Sequence, residues 1–257
     1  PSQEMIRNVI IMTAAGVVIF EKVWFTDSES IQTEKKGRLF GSLITTMQEF
    51  SRQSTGGMIV TYLEFQQVAV SIVDDSKTKL LCTLFHDTED GSDFGQMIAA
   101  QILRSFIESF PDISFQGTLN VATFSSFVGK LFDAIQNSVR AIVQQLQSQR
   151  GINSALVVYD NGQSVMTVAQ EEDQLGIVAN LTPIITLSTD ILQAKTKERP
   201  ELITLEMSKQ IVIICRVGDA SLVSICRKST NPTHYQPAIE RAAVMLEKVF
   251  SLERALS

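Results

Sequence analysis

The segment that decides the fold runs from Phe124 to Val168 and reads FSSFVGKLFDAIQNSVRAIVQQLQSQRGINSALVVYDNGQSVMTV. Apolar residues recur in its first part at steps of three and four, which predicts one apolar face of a helix. Two β-prone runs follow, at Ala155–Tyr159 and Ser164–Val168, and the residues between them, Asp160-Asn-Gly162, tolerate a positive φ. The segment therefore predicts a long helix and then a β-hairpin. The apolar helix positions are Phe124, Phe127, Val128, Leu131, Ile135, Val139, Ile142, Val143 and Leu146.

Upstream of this segment, the sequence predicts a hairpin, a helix, a three-stranded meander and a second helix. The strands are runs of β-branched and aromatic residues joined by short polar turns, which antiparallel neighbours allow. A polar loop at 26–36 precedes the first helix, Gly56-Gly57 ends it, and Pro111 ends the second. The predicted ranges are strands at 5–12, 17–25, 58–65, 68–73 and 79–85, and helices at 39–50 and 94–110.

The same order of elements recurs downstream, so an internal repeat is the main organising feature of the chain. The repeat is visible in residues as well, because Leu63-Glu-Phe65 and Leu205-Glu-Met207 occupy equivalent places. Two modules therefore account for the length better than one large core. The predicted downstream elements are a helix at 175–192, strands at 201–207, 210–217 and 221–227, and a final helix beginning at Pro237.

A long helix, a short joint at 150–153 and a hairpin whose turn carries an acidic or amide residue before glycine resemble the opening of the roadblock family (dynein light chain type). Val217-Gly-Asp-Ala-Ser-Leu-Val-Ser224 adds to this likeness, and the first module is similar to a longin domain. The resemblance implies an α/β fold of the α+β type, with two profilin-like modules. Each module is a five-stranded antiparallel sheet of strand order 2-1-5-4-3 flanked by helices. The longin-like module is placed at 1–122 and the roadblock-like module at 123–257, with the helix at 123–149 available to both.

The resemblance also implies a non-enzymatic protein that works through protein partners. Members of these families dimerise side by side and serve as platforms for small Ras-like GTPases or as parts of membrane-traffic complexes. We therefore expect a scaffold or regulator of a small GTPase in an endomembrane or polarity complex, as a homodimer or an intramolecular pseudo-dimer. The alternative is a structural subunit of a membrane-trafficking complex that recognises peptide segments through a longin groove. The resemblance supplies no catalytic or metal-binding residue, and no cofactor is expected.

Composition and charge argue against several other classes. With 257 residues, a net charge of −6 and a pI near 5.1, the chain lacks the clustered Lys and Arg of a nucleic-acid footprint. Its two basic runs, at 35–38 and 195–199, are typical of solvated helix ends, with lipid or partner contact as the alternative. No secretory leader begins the sequence, and no apolar run approaches the roughly 18 residues of a membrane span. We expect a cytoplasmic protein that is recruited to membranes through its partners.

The cysteines and histidines are not arranged for chemistry. Cys82, Cys215 and Cys226 lie in apolar β-like runs and form no C-x-x-C pair, so they are interpreted as buried thiols in a reducing compartment. His86 and His234 are far apart, and neither has a metal-ligand neighbour three or four residues away. Both are interpreted as residues at loop edges that fill space.

Other sites with a sequence signature are also disfavoured. The acidic loop at 87–93 has its glycine in the fifth place and no Glu in the twelfth, which does not fit an EF-hand. Asp93 is instead predicted to cap the following helix. The chain has no P-loop, no G-x-G-x-x-G after a strand and no G-x-S-x-G. An enzyme is therefore not expected.

One predicted helix lacks the charged face that a surface helix normally shows. Between Gly176 and Leu192 the only charged residue is Asp190, so we expect burial on both sides, by the sheet and by a partner. That partner is either a second copy or the first module, since a tandem chain can supply its own. The interface residues predicted on this helix are Ile184, Leu187, Ile191 and Leu192.

The matching helix of the first module mixes apolar and polar residues. Phe40, Leu43 and Met47 stand among polar residues such as Arg38 and Glu49. A surface with a few apolar anchors ringed by polar groups suits a Ras-like switch region, so these three residues are the predicted GTPase contacts. The alternative is that they form the core face of an amphipathic helix.

Overall fold

The computed structural model describes residues 6–24, 33–111, 115, 120–161, 163–166, 171–193 and 200–256, and for 33–38, 166, 171–178, 192–193 and 255–256 it describes the backbone alone. The chain forms two compact units, Pro1–Ile135 and Gln136–Ser257. Their division falls inside a helix, Leu131–Gln147, which we label α3. The predicted module boundary at residue 122 and the shared use of this helix stay predictions.

The first unit is built on one antiparallel sheet. Its strands lie in the order β2-β1-β5-β4-β3, so the first strand of the hairpin pairs with the last strand of the meander. The strands are β1 (Ile6–Thr13), β2 (Val18–Val23), β3 (Tyr62–Glu64), β4 (Val68–Asp75) and β5 (Leu80–Asp87), and the α-helices are α1 (Thr33–Thr55) and α2 (Ser92–Ser109). Two 3₁₀ helices, Thr88–Asp90 and Val121–Lys130, complete the unit.

The second unit repeats this topology, with strand order β7-β6-β10-β9-β8 and antiparallel pairing throughout. This confirms the predicted α+β fold class and the 2-1-5-4-3 order in both sheets. The strands are β6 (Ile152–Tyr159), β7 (Ser164–Met166), β8 (Leu202–Glu206), β9 (Gln210–Val217) and β10 (Ala220–Arg227). The helices are α4 (Glu171–Gln193), the 3₁₀ helix Pro232–His234 and α5 (Gln236–Leu256). Gly162 of the predicted turn lies outside the described residues.

Strand alternation places one helix on each face of the first sheet. Ile10 and Met12 of β1 pack with Ile44 of α1, whereas Val9 and Ile11, which point the other way, are also fully buried. Helix α2 contacts β4 and β5. In the second unit Leu181 of α4 packs in a cluster with strand residues in the same manner; the strand members are Leu156, Val158, Val212, Ile214, Val223 and Ile225.

The helix predicted to begin at Phe124 is a 3₁₀ helix as far as Lys130 and becomes an α-helix only at Leu131. Phe124 and Phe127 are three residues apart, and residues at this spacing eclipse in a 3₁₀ helix. Both rings consequently meet the ring of Phe106, at centroid distances of 5.4 and 5.0 Å. The helix is present as predicted, and its first part takes the tighter 3₁₀ form.

Two predictions of extended or loop structure were wrong in part. The loop predicted at 26–36 ends earlier, because α1 begins at Thr33 and its next residues, Glu34 to Lys36, are good helix formers. The strand predicted at 58–65 is reduced to Tyr62–Glu64. The side chain of Gln48 replaces strand pairing at Val60, since Gln48 Nε2 donates to Val60 O (2.5 Å) and Val60 N donates to Gln48 Oε1 (3.0 Å).

The capping residue of α2 was also predicted wrongly. The N-cap is Gly91, with φ 79° and ψ 161°, and no side chain caps the helix. Asp93 lies inside the first turn instead. Its negative charge still suits the positive end of the helix dipole, although its side chain is not the cap.

Candidate functional site

The outward face of α4 carries a continuous apolar row. Ala179, Pro183, Leu187 and Ile191, which we call the α4 stripe, follow one another at intervals of four and are all exposed. Leu187 is 63% exposed and Ile191 is 64% exposed. Asp190 is the only charged residue between the ends of the stripe. This face therefore presents a large uncharged area, which is unusual for a helix that faces water alone.

The structure divides the four residues predicted as the α4 interface. Ile184 is half-buried and packs against the core of the second unit, so it supports the helix from inside. Leu187 and Ile191 point away from that core and are accessible. The side chain of Leu192 lies outside the described residues.

The outward face of α1 carries a second row. Leu39, Leu43, Thr46 and Phe50, which we call the α1 stripe, recur at steps of four, three and four and are all exposed. Leu39 and Phe50 are 72% and 71% exposed. Polar groups border the stripe, including Glu49, whose carboxylate accepts a hydrogen bond from Gln53 Nε2 at 2.8 Å. The row is thus a set of apolar anchors within a polar surround.

Of the three residues predicted as GTPase contacts, only Leu43 belongs to the α1 stripe. Phe40 is half-buried, and its ring centroid lies 4.5 Å from that of Phe85 in the core of the first unit. Met47 is half-buried as well. Sequence reasoning did not single out Leu39 as a contact residue. The four-residue step from Leu39 to Leu43 was the available signal, but α1 carries two apolar rows and spacing alone does not say which faces the sheet.

A third exposed group lies at the end of α1. Met58 is 69% exposed, and Ser51 Oγ donates to its carbonyl oxygen at 3.0 Å. This bond ties the Met58 backbone to the C-terminal part of α1. Met58 is therefore a further exposed apolar side chain just after the helix.

His86 was predicted at a loop edge, and this was wrong. It lies in β5 and is fully buried. Its Nδ1 donates to the carbonyl oxygen of Asp87 (2.9 Å), since a carbonyl only accepts, and its Nε2 shares a hydrogen bond with Ser71 Oγ (3.0 Å). Ser71 is fully buried too, so no substrate reaches this pair in the folded chain. His234 lies in an exposed 3₁₀ helix, as its loop-edge interpretation predicted.

The thiols are protonated at neutral pH. Burial raises the pKa of Cys82 far above its ordinary value and that of Cys226 to about 11. The pKa of Cys215 is raised by burial and then by the charge of Glu240. Cys82 and Cys226 are buried as predicted, whereas Cys215 is half-buried. A thiol that stays protonated is a poor nucleophile and a poor metal ligand.

The described residues contain no group of three or more His, Cys, Asp or Glu side chains that could hold a metal ion. Among the helices described, none is long and apolar enough to cross a membrane.

The fold and its surfaces define a class of protein: a duplicated α+β chain in which the equivalent helix of each unit, α1 or α4, leaves an apolar row uncovered. No family model matches the sequence, and no curated protein matches it. Solved structures of roadblock/LC7 domains and of the bacterial protein MglB are similar to part of the chain.

MglB of Myxococcus xanthus is 18% identical, with a TM-score of 0.41, over 44% of this chain and 94% of that one. The gliding protein MglB of Thermus thermophilus is 12% identical, with a TM-score of 0.38, over 45% of this chain and 90% of that one. A roadblock/LC7 domain from Streptomyces avermitilis is 8% identical, with a TM-score of 0.38, over 43% of this chain and 96% of that one. Each likeness spans nearly the whole of the solved chain and less than half of this one.

Proposed function

We propose that this chain is a non-enzymatic scaffold or regulator that binds a small Ras-like GTPase, within an endomembrane or polarity complex. The observation that carries the proposal is the α1 stripe, an accessible row with three large apolar side chains on a helix whose other side is fixed in the core. The partner class comes from the resemblance of the sequence to the longin and roadblock families. The chain acts in the cytoplasm and reaches membranes through its partners.

The α1 stripe suits a regulated partner better than a permanent one. Interfaces that form and dissociate keep a polar rim around a few apolar or aromatic anchors. Leu39, Leu43 and Phe50 supply such anchors, and Glu49 and Arg52 are exposed beside them. A GTPase switch region that packs on Leu43 would cover a side chain that is already exposed. The core would stay unchanged, because the next residue, Ile44, points inward and is fully buried.

The α4 stripe suits a longer-lived contact between units of this chain. Permanent interfaces are more apolar than transient ones, and the α4 stripe has one charged residue, Asp190, along its length. We propose that Leu187 and Ile191 are covered either by a second copy or by the first unit, which gives a homodimer or a pseudo-dimer. Each Leu or Ile side chain removed from water in this way contributes about 1.5–3 kcal/mol.

A different function is favoured by the edge of the second sheet. Among the strands that the structure describes, β8 pairs with β9 alone, and Leu202 at its start is 60% exposed. An exposed edge strand can take up an extended peptide as an additional strand. A structural subunit of a trafficking complex could use this edge, in place of the longin groove predicted in the first module, to recognise peptide segments. It predicts partner binding that responds to changes at Leu202 and not at Leu43.

The two functions are separated by affinity purification from the native cell with three forms of the chain. The scaffold function predicts that a small GTPase co-purifies with the wild type and with Leu202→Asp, and that Leu43→Asp loses it. The peptide-binding function predicts the reverse pattern with a partner that is not a GTPase. Both substitutions affect exposed side chains, so circular dichroism should show that each variant is folded.

A further inference from the structure

The register of the two sheets makes the units comparable residue by residue. In the first unit Leu81 pairs with Asp74, and in the second unit Ser221 pairs with Arg216. Each pair lies one step from the turn that joins its two strands, so Leu81 and Ser221 occupy the same place in the repeat. Leu81 also pairs with Met12 of β1, and Ser221 pairs with Val158 of β6, so Met12 and Val158 are equivalent too. Each unit thus has a row of three paired residues across neighbouring strands.

Both equivalent pairs, Met12 with Val158 and Leu81 with Ser221, are buried, but only the residues of the second unit also line a described cavity. Met12 is fully buried and Leu81 nearly so, and both belong to the core cluster beneath α1. In the second unit the smaller Val158 and the hydroxyl of Ser221 border a cavity of about 320 Å³ between α4 and the sheet. A packing position of one unit has therefore become the wall of a cavity in the other.

On the side formed by α4, the cavity is lined by hydroxyl groups. Thr182, Thr186 and Thr189, at steps of four and three, place three hydroxyl-bearing side chains along one line of α4 that faces the cavity. Leu181 and Ile185, which also line it, belong to the core cluster and give it an apolar floor. Polar side chains on both walls above an apolar floor are typical of a small-molecule site and not of a packing defect.

The rim carries both signs of charge. Arg216 Nη2 lies 3.3 Å from Asp160 Oδ2, and the two side chains are accessible to solvent. Asp190 lines the same cavity from α4. One guanidinium and two carboxylates that line one cavity suit a ligand that itself carries a carboxylate and an ammonium group.

We propose that this cavity binds a free α-amino acid with an apolar side chain. Arg216 receives the ligand carboxylate, Asp160 and Asp190 receive its ammonium group, and the threonine hydroxyls hydrogen-bond to either. The ligand side chain rests on Leu181 and Ile185, and it fills the space that the side chain of Leu81 fills in the first unit. A volume of about 320 Å³ is at the lower end of the range for ligand sites, which suits a molecule of this size. The inference is independent of GTPase binding.

The test is isothermal titration calorimetry of the full chain with L-leucine, L-isoleucine and L-phenylalanine. We expect at least one of them to bind, and we expect the matching amino-acid amide and the matching acid without an amine to bind about tenfold more weakly or worse, because each lacks one charge. Absence of binding by all three amino acids at millimolar concentration would overturn the proposal. Equal binding of the amide would overturn the assignment of Arg216.

Two variants make the test specific to the cavity. Ser221→Leu reproduces the side chain that the first unit has at this place, so it should fold and lose binding by about tenfold or more. Thr186→Val keeps the shape of the wall and removes one hydroxyl, so it should weaken binding while the chain stays folded. If a folded Ser221→Leu variant binds the amino acid as the wild type does, the ligand is elsewhere.

Discussion

A methyl group added to Gly95 of α2 would clash with the imidazole Nε2 of His86. The helix therefore lies so close to β5 that only glycine fits at this position. Ser71 Oγ, which hydrogen-bonds to the same Nε2 at 3.0 Å, closes the space from β4. The buried polar pair thus fixes how near α2 lies to the sheet. This contact explains a glycine inside a helix, where glycine otherwise costs stability.

The first prediction is that Gly95→Ala destabilises the first unit. Alanine in place of a helical glycine normally stabilises by up to about 1 kcal/mol, whereas overpacking in a core costs about 1–3 kcal/mol, and the second effect should win here. Urea unfolding should show a lower free energy for this variant. Gly129→Ala is the matched control, because the space around Gly129 is open. Equal stability of both variants would show that α2 moves freely away from His86.

The second prediction separates the two rows of α1. Phe40→Ala removes a ring that packs on Phe85, and it should cost about 2 kcal/mol, less than the ~3–5 kcal/mol of a fully buried phenylalanine. Leu39→Ala changes an exposed side chain and should leave the free energy of unfolding within about 0.5 kcal/mol. Chemical denaturation of both variants checks this. A large loss for Leu39→Ala with none for Phe40→Ala would mean that the helix is rotated about its axis.

The third prediction concerns the α4 stripe. Leu187→Asp places a charge in the proposed contact and should separate the dimer in light scattering or, for a pseudo-dimer, lower the cooperativity of unfolding. Leu181→Asp is the contrasting variant, because Leu181 is 2% exposed and a charge there should unfold the second unit. A monomeric wild type whose unfolding is unaffected by Leu187→Asp would count against a covered α4 stripe.

The fourth prediction uses the pH dependence of stability. Burial raises the pKa of the Glu253 carboxyl from its ordinary value of 4.5, so the folded chain holds this proton more tightly than the unfolded chain. The tighter binding of this proton contributes to the stability of the folded chain below the ordinary pKa, and the contribution is lost as pH rises through the raised pKa. Glu253→Gln should therefore be more stable than the wild type at neutral pH, and the difference should shrink near about pH 4.

Glu247→Gln, an exposed position on the same helix α5, is the control for this experiment. The free energy of unfolding is compared at the two pH values for all three proteins. If Glu253→Gln is less stable than the wild type at neutral pH, the carboxylate of Glu253 contributes an interaction that outweighs its burial.

The sequence was sufficient to predict the bounds of strands that end at a clear turn. Strand β9 was predicted with its observed ends, and β10 to within one residue at its start, because Gly218-Asp219 marks the turn between them. The strand order came from the resemblance to known families and is confirmed in both units. The spacing of hydrophobic residues and the identity of turn residues are local properties of the sequence. The strand ends could therefore be predicted without knowledge of contacts between distant residues.

The features that were missed depend on contacts between distant residues. Val60 leaves the predicted strand because Gln48 takes its backbone hydrogen bonds. His86 becomes buried because Ser71 and Gly95 make room for it, which no local pattern records. The orientation of α1 follows from the contact between Phe40 and Phe85, 45 positions apart in sequence.

The central claim is that a small GTPase binds the α1 stripe, and isothermal titration calorimetry tests it most directly. Purified small Ras-like GTPases from the same cells, loaded with GDP or with a non-hydrolysable GTP analogue, are titrated into the wild type, Leu43→Asp and Thr204→Asp, the last an exposed position on β8. We predict that one GTPase binds the wild type and Thr204→Asp with equal affinity and prefers one nucleotide state, and that Leu43→Asp weakens it about tenfold or more. Absence of binding in both nucleotide states, or equal binding by a folded Leu43→Asp variant, would contradict the claim.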